Sequence, residues 1–387
     1  MGPPAARNGR GSLRYEKLPH GGMGAVRTDG VIGQTASGSM SRRLGEDPLQ
    51  EREFMNKILV VNINWLGDAI FSTPVFKALK DDYPQAHVAC LCVPRVKEVL
   101  EHCSYIDEII IYDEKGSDRW VWNKIRLIAR LRQKQFDAAF ILHRSMTRAL
   151  LTYLAGIPQR IGYSKTKALL THAVDFSDGH HRSQTYWRVL EDYGIKVQDH
   201  TCRLDVDSQD EQSIAAKLRG HGLNAQPFVV VNAGGNWDLK RWPAAQFSTL
   251  IHHLVQDKKL AVVLPGSAQD KARVGQIAAQ AGVPVIILAG ETTLGETLAL
   301  YRQARAVISG DTGPLHLANA VGAKVIGIFG PTRPEITAPR GLGDAVILFK
   351  EVGCNHAPCY HLACGNNVCM QAITVDHVLE AVQKLIG

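Results

Sequence analysis

Short apolar runs recur along the chain from residue 57 onward, each followed by a turn and a stretch in which apolar residues return every three or four positions. Runs at 58–63, 87–93, 106–112 and 136–142 have the length and β-branched content of strands buried on both faces. Segments 69–80, 96–102, 120–133, 147–155 and 181–193 carry helical spacing. The polar stretch 199–210 interrupts the pattern, which restarts with strands at 228–232, 260–264, 285–288, 306–309 and 324–329. Strands alternating with helices predict parallel sheets covered on both faces. The expectation is an α/β chain of two doubly wound, Rossmann-like domains, 55–200 and 227–387, joined through a linker region at 201–226. The carboxyl ends of both sheets would face a cleft, where such folds hold ligands.

Residues 1–54 lack this pattern. Gly, Ser, Arg and Pro dominate there, and eight Lys/Arg against six Asp/Glu contribute only +2 of the total charge. The segment reads as a disordered tail, or as sequence ahead of a true start at Met55. Composition changes the picture little: 45% hydrophobic and 21% charged residues describe a globular chain with ample core. No apolar run approaches the ~20 residues that span a bilayer. A net charge of +7 suits a surface that meets anions without choosing among phospholipid, phosphorylated sugar and nucleic acid.

The chemistry-bearing residues fall at strand ends. Ser309-Gly310-Asp311-Thr312-Gly313-Pro314 follows a short apolar strand and opens a helix ending near Gly322. Free amides at that helix start, with the positive end of its dipole, suit a phosphate. Asn232-Ala233-Gly234-Gly235-Asn236 and then Lys240-Arg241-Trp242-Pro243 follow the first strand of the second domain, offering close backbone approach and positive charge. Ser267, in Leu264-Pro265-Gly266-Ser267, sits where a base or ribose would be framed. In the first domain, Asn64-Trp65-Leu66-Gly67-Asp68 is neither a Walker loop nor a dinucleotide fingerprint. Asp68 reads as either a helix N-cap or a general base facing the cleft. Asp205-Val206-Asp207 lies in the linker, away from any strand end, and reads as solvated turn residues, not a metal pair. Cys354, Cys359, Cys364 and Cys369, with His356 and His361 between them, lack the short Cys-x-x-Cys knuckle. Free thiols, a structural zinc and a redox-sensitive disulfide stay open for that loop.

From Lys57 to Ile386 the chain resembles glycosyltransferase family 9, the lipopolysaccharide heptosyltransferases, and most closely the heptosyltransferase II-like branch. The resemblance is carried by Trp65-Leu66-Gly67-Asp68, His143-Arg144-Ser145, Ile157 to Tyr163, Lys240-Arg241-Trp242-Pro243, and Gly310 to His316 joined to Gly327-Ile328-Phe329-Gly330-Pro331-Thr332. It implies a GT-B fold and inverting, metal-independent transfer of heptose from ADP-L-glycero-D-manno-heptose to the lipopolysaccharide inner core. No cofactor and no nucleic-acid partner are implied. The protein would work in the cytoplasm, peripheral on the inner face of the membrane, on an acidic or phosphorylated acceptor. Carried over by position, Asp68 is similar to the family's base and Lys240 to its donor-phosphate lysine. Asp311, Thr312, Gly313 and His316 match the donor-binding turn. Gly235 and Asn236 stand where the heptosyltransferase I pattern has paired threonines, and Thr292 where it has a methionine, which bears on the identity of the nucleotide-sugar. Arg144, Arg148 and Arg160, with Lys165 and Lys167, are candidate acceptor contacts. A sugar-nucleotide epimerase or hydrolase of the same shape, or a transferase using another nucleotide-sugar, is the alternative.

Overall fold

A computed structural model describes residues 11–17, 55–177, 179–224, 226–235, 237–354, 359 and 364–387. Among them the chain forms two wholly parallel sheets. The first has six strands in the order Glu108–Ile111, His87–Cys92, Lys57–Val61, Ala138–Ile141, Gln159–Tyr163, His172–Val174. The second has seven, ordered Leu13–Lys17, Ala345–Phe349, Val325–Phe329, Val307–Gly310, Phe228–Asn232, Ala261–Leu264, Ile286–Ile287. In both, the strand order reverses beside the first strand of the domain, which opens the crevice at the carboxyl ends where ligands sit. Their central strands are fully buried (Ile58, Leu59, Val60 and Val61 in one, Val229, Val230 and Val231 in the other), as apolar runs without alternation require.

The α/β expectation holds, and four local expectations need correction. Three further strands are present: those at 159–163 and 172–174 mix polar with apolar residues and give a weak pattern, whereas Ala345–Phe349 is a continuous apolar run that the expected strands did not include. The single helix expected at 69–80 is two, Leu66–Phe71 and Thr73–Asp82, divided at Ser72, whose hydroxyl bonds back to the Ala69 carbonyl at 2.7 Å. The linker region contains a helix, Ser208–Gly220, capped by the Asp207 carboxylate and anchored by buried Ile214 and Leu218. Asp205 and Asp207 lie in irregular chain just ahead of that helix: the Asp205 carboxylate accepts the Ser104 N–H at 3.0 Å, and Asp207, the N-cap, accepts that of Gln209 at 2.7 Å.

Finally, Leu13–Lys17, inside the segment expected to lack structure, is the edge strand of the second sheet, in register with Ala345–Phe349. Ser12 fixes its start by donating to the Asp344 carboxylate at 2.7 and 2.8 Å. The remainder of residues 1–54 lies outside the described residues.

The two sheets face each other through helix Leu66–Phe71 of the first and helix Gly313–Ala320 of the second. Phe71 and His316 meet edge-on, 4.8 Å between ring centres. A Cβ on Gly313 would lie 2.6 Å from a Leu66 methyl, so only glycine lets these helices approach so closely. The crossover segment stitches the domains as well, with Cys202 and Leu204 donating to the carbonyls of Arg340 (2.7 Å) and Ala320 (3.2 Å). His181 adds a buried link: its ring accepts the Ser183 N–H at 3.2 Å, so the other nitrogen carries the proton given to the Ala338 carbonyl at 2.8 Å.

Candidate active site

A cavity of about 510 Å³ opens at the carboxyl end of the second sheet, beneath Leu66 of the first domain. Gly235, Lys240, Ser267, Thr292, Asp311, Thr312 and Gly313 all line it. Sequence positions far apart converge because each follows a parallel strand at the same sheet edge. His316 lies one turn along the helix, against Phe71, and Asn236 is outside the described residues.

Asp311 is the hub of this wall. Its carboxylate is 2% exposed and meets the Lys240 ammonium at 2.6 Å, the Thr332 hydroxyl at 2.5 Å, the Thr337 hydroxyl at 3.2 Å and the His316 ring at 3.4 Å. Burial alone would raise its pKa; the His316 hydrogen bond and the Lys240 charge overcome this and hold the carboxyl well below the ordinary range. With these four partners the Asp311 carboxylate ties Lys240 and His316 to the cavity wall that it lines. Lys240 spends one of its three N–H donors on Asp311 and lies 5.3 Å from the centre of the Trp237 ring. Its neighbours are equally committed: the Arg241 Nε donates to the Gly235 carbonyl at 2.7 Å, and Trp242 is buried and donates to the Ile373 carbonyl at 2.8 Å.

Of the two amides expected to meet a phosphate, that of Thr312 is turned to the Gly310 carbonyl at 2.7 Å, which leaves Gly313 at the helix start. Gly235, at φ 139°, holds a conformation natural to glycine, and a Cβ there would press on the Thr312 methyl at 3.3 Å. Ser267 caps the next turn through Asp270 (2.6 Å), and the Thr292 hydroxyl pairs with that of Thr297 at 2.9 Å.

Across the cleft, Asp68 sits within the first turn of helix Leu66–Phe71, whose N-cap is Trp65. The cap reading is therefore set aside. Asp68 is part-exposed and accepts the Tyr186 hydroxyl at 2.7 Å. Tyr186 belongs to helix Arg182–Tyr193, where no motif announced it; burial and then the Asp68 charge push its own pKa well above the usual phenol range. The loop before Asp68 is pinned from beneath. Arg148 is 1% exposed and donates to the Asn62 carbonyl and, at 2.5 Å, to the Asn64 side chain, which in turn donates to Glu114 at 2.9 Å.

Arg148 is thus a scaffold for the turn, and the acceptor role expected for it is corrected. Arg160 is corrected too. It lies near the amino end of its strand, opposite the cleft edge, and its guanidinium donates to the carbonyls of Leu169 (2.8 Å), Pro158 (3.0 Å) and Ile157. Arg144 remains at the carboxyl edge, exposed, its guanidinium 4.0 Å from the centre of the Phe176 ring. His143 beside it has its pKa lowered to about 4 by burial and by the Arg148 charge, so it is neutral at physiological pH.

Cys354, Cys359, Cys364 and Cys369 line a separate cavity of about 420 Å³, and among the described residues they form no disulfide. Among the described residues no three His, Cys, Asp or Glu side chains are gathered as metal ligands; His356 and His361 lie outside them. Among the described residues, no helix is long and apolar enough to cross a membrane.

Comparison with known proteins agrees with this arrangement. The solved family 9 glycosyltransferase from Veillonella parvula superposes with a TM-score of 0.79 at 21% identity, over 87% of this chain and 98% of that one. The E. coli ADP-heptose lipopolysaccharide heptosyltransferase II structure superposes with a TM-score of 0.70 at 25% identity, over 85% and 98%. Lipopolysaccharide heptosyltransferase 2 of E. coli K12 is 28% identical over 300 residues, 73% of this chain and 85% of that protein. The family profile for glycosyltransferase family 9 (heptosyltransferase) matches residues 124–368. The chain belongs to glycosyltransferase family 9 and is a glycosyltransferase.

Proposed function

We propose that this protein moves heptose from ADP-heptose to the inner core of lipopolysaccharide by inverting, metal-independent transfer. The observation that carries the reading is the opposition of a part-exposed carboxylate, Asp68, to a cavity whose wall holds Lys240 in a buried ion pair with Asp311. The E. coli relative named for ADP-heptose supplies the donor class.

In this mechanism the donor diphosphate lies along Lys240 and the Gly313 amide, with its base and ribose toward Ser267, Thr292 and Tyr301. Tyr186 donates to one oxygen of Asp68 and orients the carboxylate. The other carboxylate oxygen takes the proton from an acceptor hydroxyl as the hydroxyl oxygen attacks the anomeric carbon and the bond to the diphosphate breaks. Charge developing on the departing diphosphate meets the two remaining Lys240 donors and the helix start. Arg144, at the rim, meets an anionic group of the acceptor. A lipid-anchored acceptor implies a protein peripheral on the inner face of the cytoplasmic membrane.

The experiment is release of ADP from ADP-heptose by purified protein, with and without a delipidated inner-core acceptor and in the presence of EDTA. Acceptor-dependent release that survives chelation is expected. Release independent of acceptor would instead identify a hydrolase, and loss restored by magnesium would end the metal-free mechanism.

A further inference from the structure

Charge in this chain is concentrated in one place. Residues 119–174 hold eleven Lys/Arg against a single acidic residue, Asp137, a net +10 in a chain totalling +7, so the remainder is net −3. Arg148 and Arg160 are spent inside the fold, but Arg119, Arg126, Arg144, Lys165 and Lys167 are exposed.

The same region carries most of the exposed large apolar side chains. Trp120, Val121, Trp122 and Ile125 lie at the start of helix Val121–Lys134, with Trp122 75% exposed. Met146, Leu150, Tyr153 and Leu154 are exposed on helix Met146–Leu154. Both helices cover one face of the six-stranded sheet through Leu127, Leu131, Ala149 and Leu151. Arg132 joins their carboxyl ends by donating to the Leu154 carbonyl at 2.6 Å.

The second helix is inverted relative to an ordinary surface helix. Positions 146, 150, 153 and 154 form an outward apolar stripe, while Arg148 of the same helix points into the protein. A contiguous apolar face of this kind marks an interaction surface. Its rim of basic residues, and tryptophans at the helix start, match the chemistry of a headgroup layer over acyl chains.

We propose that the outer face of helices Val121–Lys134 and Met146–Leu154 docks the protein on an anionic phospholipid bilayer. The proposal rests on the reading of a lipid-anchored acceptor. A second copy of the chain fits this face poorly, because two faces of the same high positive charge would be opposed. The amino ends of both helices lie at the carboxyl edge of the sheet, the edge that carries the Asp68 turn, and Arg148 ties the docking helix directly to that turn. A membrane-seated face would therefore put the cleft beside the bilayer from which the acceptor projects.

The test is co-sedimentation of the full chain with vesicles of phosphatidylcholine alone, or with phosphatidylglycerol added, without any sugar substrate. Binding to the anionic vesicles, weakened by salt, is expected. Replacing Trp122, Ile125 and Leu150 together by Ser should reduce partitioning by at least about tenfold. The charge reversals Lys124→Glu, at a half-buried side chain, and Arg126→Glu, at an exposed one, should reduce it by about fivefold or more per residue. Melting temperature and transfer to a delipidated acceptor should not change in the charge variant. Failure of the parent chain to bind anionic vesicles, or unchanged partitioning of the charge variant, overturns the proposal. So does a dimer in light scattering that becomes a monomer in the charge variant, because the face would then be a contact between copies. If vesicle binding behaves as expected but no heptose is transferred to the delipidated acceptor, the functional reading fails and the docking surface stands.

Discussion

The two strand-to-helix turns that face each other across the cleft look alike in sequence and differ in kind. Each follows a buried strand, each opens a helix, and each carries one aspartate. Asp311 is sealed from water and shared by Lys240, His316, Thr332 and Thr337. Asp68 is part-exposed and, among the described residues, has one hydrogen-bond partner, the Tyr186 hydroxyl. A carboxylate with four partners is a structural anchor with little capacity left for a proton. A carboxylate held by one donor is positioned yet able to accept another hydrogen. The type of residue at a strand end thus says less about its role than the number of partners the fold supplies.

The largest effect should come from breaking the reactive side of this pair. Asp68→Asn keeps the shape and the Tyr186 bond but removes the base, and turnover should fall about 10²–10⁴-fold in a steady-state transfer assay. Near-normal turnover would move the base elsewhere. Breaking the anchor should instead cost stability: Asp311→Ala strips Lys240 of its buried counter-charge and should lower unfolding free energy by about 3 kcal/mol. A urea titration matching the parent protein would show that the hub is dispensable. Removing only the positioning group is expected to do less. Tyr186→Phe deletes a hydrogen bond to a charged acceptor, worth about 1.5–3 kcal/mol, and should lower turnover about ten- to hundredfold while donor affinity stays constant. Parental turnover would leave Tyr186 a packing residue.

The domain contact beside these turns should respond to acid. Burial, followed by the charge of Arg340, depresses the His181 pKa to about 3. An unfolded histidine takes its proton near ~6.5. Between those values the unfolded chain binds more protons, so stability falls as pH drops from about 6.5 toward 3, by up to about 1.4 kcal/mol per pH unit for one imidazole. His181→Asn should flatten that part of the stability profile, and an unchanged profile would contradict it.

Much of this arrangement was legible in the chain because parallel strands buried on both faces write continuous apolar runs, and their ends are marked by Gly, Pro and Asp. Gly235, Lys240, Ser267, Thr312 and Gly313 could be brought to one edge on that basis, whereas Thr292 was reached only through the family resemblance. What stayed hidden depends on tertiary partners. Tyr186 lies on an amphipathic helix where an aromatic residue reads as core. Arg148 reads as a surface cation at a helix start, until its guanidinium is found beneath the Asn62–Asn64 turn. Leu13–Lys17 is too short and too polar to declare itself a strand, and it forms one because the edge at Ala345–Phe349 is unpaired without it. The distance of Arg160 from the cleft follows from the polarity of strand Gln159–Tyr163, whose mixed polar and apolar residues do not announce a strand.

The division of labour between the domains is the central claim, and the donor affinity of Asp68→Asn tests it most directly. Asp68 is not part of the cavity wall, whereas Lys240, Thr312 and Gly313 are. Isothermal titration of ADP-heptose into the variant should therefore give the parental Kd, within about twofold (under about 0.5 kcal/mol), alongside the loss of turnover. A Kd weakened in step with turnover would contradict the account, because Asp68 would then be holding the donor instead of activating the acceptor.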